Sequence, residues 1–163
     1  MIYKDTFELI DISTAERASR LDDTAWANTM EWTEILSLAS YMTCYKIKSG
    51  HLVFSEGDKD IFMGLVLRGS VKIFKEVNNK KQALTTVTKN KTLGEMALID
   101  GQRRSASAVA IKDSVILFIS QEEMDEMSQH DPVIWGKLLL KIGRLMSQRL
   151  RATSSALVDS IKR

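Results

Sequence analysis

Three residues within one short stretch have the chemistry needed to bind a phosphate attached to a sugar. They are Gly94, Glu95 and Arg104. Gly94 lets the backbone approach a ligand closely, and the amides of a helical turn after it would donate to an anion. Arg104 carries a planar fork of N–H donors that matches a phosphate, whereas an ionised Glu95 only accepts, which suits sugar hydroxyls. The stretch therefore predicts a small pocket for a phosphate joined to a ribose.

The same stretch resembles the phosphate-binding cassette of cyclic-nucleotide-binding domains, as found in the bacterial cAMP receptor protein and in the regulatory subunits of protein kinase A. The family pattern is Gly-Glu-hydrophobic-Ala-Leu, a short gap, and then Arg-(Ala/Ser/Thr)-Ala. Residues 94–98 and 104–106 match it. Asn90 stands where the family often has a glycine, and asparagine tolerates the left-handed conformation. The resemblance covers roughly residues 32–159.

This resemblance implies a role for each residue of the cassette. Glu95 is expected to accept a hydrogen bond from the ribose 2′-OH, and Arg104 to pair with the cyclic phosphate. Ser105 is expected to add a second contact to that phosphate. Arg103 is expected to remain a surface charge. The backbone amides expected to complete the phosphate cradle are those of Gly94, Glu95, Met96 and Ala97.

A second group of polar residues lies on a helix predicted from Pro132 to about Asp159. One seam of this helix is apolar at first and turns polar at Arg149 and Thr153, which makes Arg149 a candidate ligand contact. Similarity to the dimer helix of the cAMP receptor protein implies that Thr153 faces the base bound in its own subunit. Ser154 would then reach the base held by the other subunit. The seam consists of Leu139, Ile142, Met146, Arg149, Thr153 and Ala156.

The elements that must position these residues follow a simple order along the chain. A helical front is followed by a strand-rich middle and a helical end. Capping boxes at 13–16 and 120–123 predict helix starts, and apolar spacing predicts a helix over 32–42. The predicted fold class is mainly β with flanking helices. It is a double-stranded β-helix (jelly roll or β-roll), eight-stranded by the resemblance, with a long C-terminal helix. Strands are predicted at 51–54, 62–67, 70–76, 83–88, 107–111 and 115–119.

Length and composition predict a single soluble domain. The chain has 163 residues, of which 44% are hydrophobic and 27% charged. Residues 1–31 are predicted to form an N-terminal helical extension without an assigned role. Residues 32–163 form the predicted cyclic-nucleotide-binding domain, with its dimer helix from about 132. A net charge of +2 does not predict binding to nucleic acid or to an anionic membrane. Neither a signal peptide nor an apolar run long enough to cross a bilayer is found, so a cytoplasmic location is expected.

The predicted function is a sensor that binds cAMP, transmits binding through its C-terminal helix and catalyses nothing. A homodimer through that helix and an unidentified effector protein are the expected partners. Too few residues follow the helix for a winged helix-turn-helix, so direct DNA binding by this chain is not expected. With two histidines and one cysteine, no metal or other cofactor is expected. Two alternatives stay open. The fold could bind no nucleotide and serve in dimerisation or docking, or it could prefer cGMP, whose 2-amino group could meet Ser105.

Overall fold

The structure is a computed structural model and describes residues 6–161. Its strands are all paired in antiparallel fashion and belong to two sheets. The strands are β1 (Glu8–Leu9), β2 (Thr43–Ile47), β3 (Leu52–Phe54), β4 (Phe62–Arg68), β5 (Ser70–Val77), β6 (Lys80–Thr88), β7 (Thr92–Leu93), β8 (Ser107–Ala110) and β9 (Ser114–Ser120). One sheet has the order β1-β2-β9-β4-β7, and the other has the order β3-β8-β5-β6.

Five helices flank the sheets in the described part of the chain. They are α1 (Thr14–Asp22), α2 (Trp32–Ser40), α3 (Glu95–Asp100), α4 (Gln121–His130) and α5 (Pro132–Ile161). Both predicted capping boxes are confirmed. The hydroxyl oxygen of Ser13 accepts from the Glu16 amide at 3.2 Å, and that of Ser120 accepts from the Glu123 amide at 3.3 Å.

The predicted fold class is confirmed, and all six predicted strands are present. Three strands have no counterpart in the sequence prediction, namely β1, β2 and β7. Two of these are only two residues long, too short to show a period, and β2 follows α2 without a glycine or proline to mark the change. Strand β1 lies within residues 1–31 and pairs with β2, so the N-terminal extension adds an edge to the first sheet. The predicted domain boundary at residue 31 stays a prediction.

The core has two parts, and strand β9 contributes to both. Ile116 and Phe118 point between the two sheets, while Leu117 and Ile119 point towards the helices. Successive side chains of a strand point to opposite faces, so this strand, apolar from Val115 to Ile119, separates the two parts. The helical part also includes Leu98 of α3 and residues from α1, α2, α4 and α5. The helices are therefore fixed to the sheet by burial rather than by a few surface contacts.

Helix α5 has 30 residues and is roughly 45 Å long. Leu138 and Ile142 in its first half are buried. Further along the helix, Leu150 and Ile161 are 68% and 76% exposed. The predicted seam therefore packs inside the subunit at Ile142, whereas Arg149, Thr153 and Ala156 of the same seam are exposed. None of the helices within residues 6–161 is long and apolar enough to cross a membrane.

Candidate ligand-binding site

A cavity of about 670 Å³ opens between β6, α3 and α5. It is the place where the two groups of candidate residues meet. Eight of the nine candidates line it: the cassette residues 94–97, 104 and 105, and Arg149 and Thr153 of α5. Residues 50 positions apart in sequence thus face one space that is large enough for a nucleotide.

Gly94 brings the start of α3 against the arginine of the cassette. It has a φ of +80°, in the left-handed region, and stands directly before the helix. A β-carbon at this position would lie 2.6 Å from Nη1 of Arg104 and 2.8 Å from the carbonyl oxygen of Phe62. Any other residue would therefore displace the guanidinium group, which explains why the cassette needs glycine here.

The Arg104 side chain is only 3% exposed. Nη1 donates to the Gly94 carbonyl and Nη2 to the Phe62 carbonyl, both at 2.9 Å. The guanidinium carbon lies 4.3 Å from the ring centre of Phe54 and 4.2 Å from that of Phe62, two rings whose planes meet at 68°, so the group contacts two aromatic rings set at an angle to each other. Burial lowers the pKa of Arg104 to about 10, so the group stays charged at neutral pH.

Arg104 forms no ion pair with a carboxylate of residues 6–161. A buried cation in proteins normally has a partner, because removing it from water is unfavourable. Asp58 and Asp60 favour the charged form from a greater distance. The site therefore supplies a fixed, desolvated positive charge beside a cavity, which is suited to an anionic ligand.

Glu95 and Arg149 connect the cassette to α5. Glu95 is 2% exposed, and its Oε1 accepts a hydrogen bond from Nη1 of Arg149. The second nitrogen, Nη2, donates to the Thr92 carbonyl at 3.0 Å. Desolvation lowers the pKa of Arg149. Arg149, predicted as a ligand contact, thus lines the cavity and is already bound to the carboxylate expected to receive the ribose.

Unpaired polar atoms are concentrated at this cavity. Among the described residues, five buried side-chain atoms have no hydrogen-bond partner, and four belong to residues that line the cavity. Buried polar atoms are nearly always paired in folded proteins, so this cluster gives the cavity donors and acceptors suited to a polar ligand. The four atoms are Oδ1 of Asn90, Oγ1 of Thr92, Oε2 of Glu95 and Nε of Arg104.

Three further candidates have different placements. Thr153 is exposed and lines the cavity, and its hydroxyl donates to the Arg149 carbonyl at 2.9 Å. Ser154 does not line the cavity, and its hydroxyl donates to the Leu150 carbonyl. Its role towards a second subunit stays a prediction. Ser105 lines the cavity and is exposed. Arg103 is exposed as predicted and donates to the Gly57 carbonyl at 3.0 Å.

Four contributors to the site were not predicted. Phe54 and Phe62 hold the guanidinium group, Thr92 offers a carbonyl and a hydroxyl, and Trp26 lines the cavity from the N-terminal extension. No local pattern indicates them, because their contacts join residues 42 or more positions apart, such as Phe62 and Arg104. The one weak sequence signal for a site residue is Phe54, an aromatic side chain shortly before a predicted turn.

The comparison with known sequences agrees with this geometry. The family model described as a cyclic nucleotide-binding domain matches residues 45–131, more than half of the chain. The chain is 36% identical over 83 residues to a cGMP-dependent protein kinase of Plasmodium berghei, covering 51% of this chain and 9% of the kinase. It is 29% identical over 113 residues to the cyclic AMP receptor protein of Thermus thermophilus, covering 69% of this chain and 50% of that protein. The chain thus spans half or less of these two relatives.

Solved structures have the same architecture. A cyclic nucleotide-binding domain from Methylobacillus flagellatus superposes with a TM-score of 0.84 at 23% identity, over 98% of this chain and 92% of that one. The Thermus thermophilus catabolite activator protein superposes with a TM-score of 0.70 at 26% identity, over 81% of this chain and 61% of that one. The first match includes the N-terminal extension, so its helices and the β-sheets occur together in another protein.

Proposed function

The chain belongs to the cyclic nucleotide-binding domain family, and on that premise we propose that it is a cytoplasmic sensor that binds cAMP and signals through α5. One observation carries the proposal. The buried, unpaired guanidinium of Arg104 and the unpaired oxygen of Glu95 face the same cavity. A cyclic nucleotide offers one anion and one donor hydroxyl, which would satisfy both groups.

The phosphate and the ribose are assigned to the cassette. Arg104 keeps its charge and has an unused Nε, so it can pair with the cyclic phosphate without leaving its aromatic contacts. Ser105 and the amides at the start of α3 add neutral donors. The free Oε2 of Glu95 accepts from the ribose 2′-OH. Every role here is one of recognition, so the proposal includes neither a catalytic step nor a cofactor.

The base is assigned to α5, and this assignment favours cAMP. Thr153 brings a hydroxyl to the cavity that can accept from the 6-amino group of adenine. The Thermus relative is a cyclic AMP receptor protein, which agrees with this choice. A cGMP-preferring site is the second candidate, because the exposed hydroxyl of Ser105 lines the same cavity and the Plasmodium relative is a cGMP-dependent kinase.

Transmission would use the contact between Arg149 and Glu95. A ligand shifts a conformational equilibrium only through contacts that differ between the two states. The ribose hydroxyl would bind Oε2 of the same carboxylate whose Oε1 holds Arg149, and the base would contact Thr153 one turn further along. Both events act on α5, so ligand binding would change how this helix is held against the cassette.

The second half of α5 is proposed as the dimer interface. Leu150, Leu157 and Ile161 are 61% to 76% exposed and recur at intervals of seven and four residues, which places them on one helix face. An isologous pair of such helices would bury them. A changed dimer surface would then be the signal offered to an effector protein.

Isothermal titration calorimetry with cAMP, cGMP and 5′-AMP tests the proposal. We expect saturable binding of cAMP with one site per chain and weaker binding of cGMP. The binding of 5′-AMP should be at least tenfold weaker, because it lacks the cyclic diester that fits between Arg104 and Glu95. If neither cyclic nucleotide binds at millimolar concentration, the proposal is wrong, and the fold would serve in docking or dimerisation without a nucleotide.

A further inference from the structure

Trp26 connects the N-terminal extension with the cavity. It stands between α1 and α2, in the part of the chain that has no assigned role, yet it lines the cavity. Its side chain is 8% exposed and packs in the cluster that contains Leu98 of α3 and Ile142 of α5. Trp26 therefore belongs to the same buried cluster as residues of the two helices that carry Glu95 and Arg149.

Lys141 fixes both the backbone and the ring of Trp26 to α5. The Lys141 ammonium donates to the Trp26 carbonyl, and it lies 5.7 Å from the centre of the indole ring. Desolvation lowers the pKa of Lys141, as expected for an ammonium group against an aromatic surface. Leu145, one turn after Lys141, lines the same cavity. Trp26 is thus fixed at the point where α5 begins to form the cavity wall.

Two further contacts join α2 and the residue that follows it to the start of α5. Glu34 of α2 forms an ion pair with Lys137, and the Tyr41 hydroxyl donates to Oδ2 of Asp131 at 2.7 Å. The hydrogen bond to Asp131 is the main reason why the pKa of Tyr41 is raised to about 12. These two contacts lie within residues 32–163 and hold α2 against the start of α5, while Lys141 is the residue that binds Trp26 itself. Trp26 is therefore placed by Lys141, next to a helix that is itself fixed to α5.

We propose that Trp26 is a nucleotide-contacting residue, so that the N-terminal extension is an integral part of the binding site. The proposal rests on the proposed function, because the ligand is the cyclic nucleotide assigned above. The exposed part of the indole would contact the sugar and base, next to Glu95 and Arg149. Stacking of a base on an aromatic ring contributes about 1–3 kcal/mol, or roughly 5- to 150-fold in affinity. Because most of the ring is buried, we expect about 5- to 20-fold.

Calorimetry on the full chain with three single variants tests this contact. Trp26→Ala should weaken cAMP binding about 5- to 20-fold, and Trp26→Phe should recover part of the loss, since it keeps an aromatic wall. Leu21→Ala is the matched control. Leu21 is 1% exposed and packs in the same cluster, but it does not line the cavity. Equal losses for Trp26→Ala and Leu21→Ala would mean that Trp26 acts only by stabilising the fold, which overturns the proposal.

A second measurement does not depend on the folding of the alanine variant. Trp32→Phe combined with Trp135→Phe leaves Trp26 as the only tryptophan, since the chain has three. Its emission should change saturably on titration with cAMP, with the same midpoint as calorimetry. If this protein binds cAMP but its emission does not change, the contact does not exist and the proposed function still stands. If the wild-type chain binds no cyclic nucleotide, both proposals fail together.

Discussion

Replacing Arg104 by alanine would remove the group assigned to the cyclic phosphate. In the native chain the guanidinium is buried, packed against two aromatic rings and without an ion-pair partner among residues 6–161. The phosphate would therefore lose its one fixed positive partner while remaining largely removed from water. Arg103 is the matched control, because it is the neighbouring arginine and lines the same cavity, but it is exposed and its Nη1 donates to the Gly57 carbonyl.

The size of the effect follows from burial. Truncating one member of a buried, hydrogen-bonded charge pair costs about 2–5 kcal/mol of binding free energy. The 3% exposure of Arg104 favours the upper part of this range, about 3–5 kcal/mol. At 1.4 kcal/mol per tenfold, this corresponds to a loss on the order of 100- to 3000-fold in cAMP affinity. Arg103→Ala should change the affinity by less than about fivefold, since an exposed charge contributes below about 1 kcal/mol.

Calorimetry at fixed ionic strength measures both variants, and thermal unfolding shows whether each is folded. The second check is needed because Arg104 also satisfies the carbonyls of Gly94 and Phe62. Arg104→Lys keeps the charge but not the fork, and it should lie between the wild type and the alanine variant. Equal losses at Arg103 and Arg104 would refute the reasoning, and so would a folded Arg104→Ala protein that binds cAMP normally.

Three other predictions concern the backbone, the helix and the assembly. Gly94→Ala should lower the free energy of unfolding in urea by about 2–5 kcal/mol, because strain at φ +80° adds to an overlap with the guanidinium. Gly101→Ala, at φ +67° with open space around its β-carbon, should lose only about 1–2 kcal/mol, and equal losses would contradict the overlap. Thr153→Ala combined with Ser154→Ala should weaken cAMP binding modestly but largely abolish the ligand-induced hydrogen-exchange protection in the second half of α5. If the double variant keeps the wild-type protection at saturating cAMP, the helix does not contact the base. Light scattering should find the wild type as a dimer at tens of micromolar and Leu150→Glu as a monomer, and a monomeric wild type would argue against the dimer.

Local sequence was sufficient for much of the fold and for half of the site. The capping boxes at Ser13 and Ser120 start helices because their hydrogen bonds involve residues three positions apart. The cassette was predictable for a similar reason. Gly94 and Glu95 are adjacent and Arg104 follows within ten residues, so one loop brings them together. The short strands β1 and β7 were missed, because two residues carry no period.

Helix α5 shows where local pattern is ambiguous. Its seam of three- and four-residue steps was read as a dimer surface, but Ile142 is fully buried within the subunit. A periodic apolar stripe indicates that a helix face will be covered, and it does not indicate by what. The large apolar residues left exposed in the second half of α5, Leu150, Leu157 and Ile161, lie outside that seam.

The sequence by itself determined the chemistry of the cassette and the class of the fold, since both depend on residues that are close along the chain. Only the tertiary structure decided how the cassette is held. The pairing of Glu95 with Arg149 spans 54 residues, and the lining of the cavity by Trp26 depends on how α1 and α2 pack against α5. Such contacts are selected by the burial of the whole core. No short stretch contains the information, because each residue is placed by the packing of elements distant in sequence.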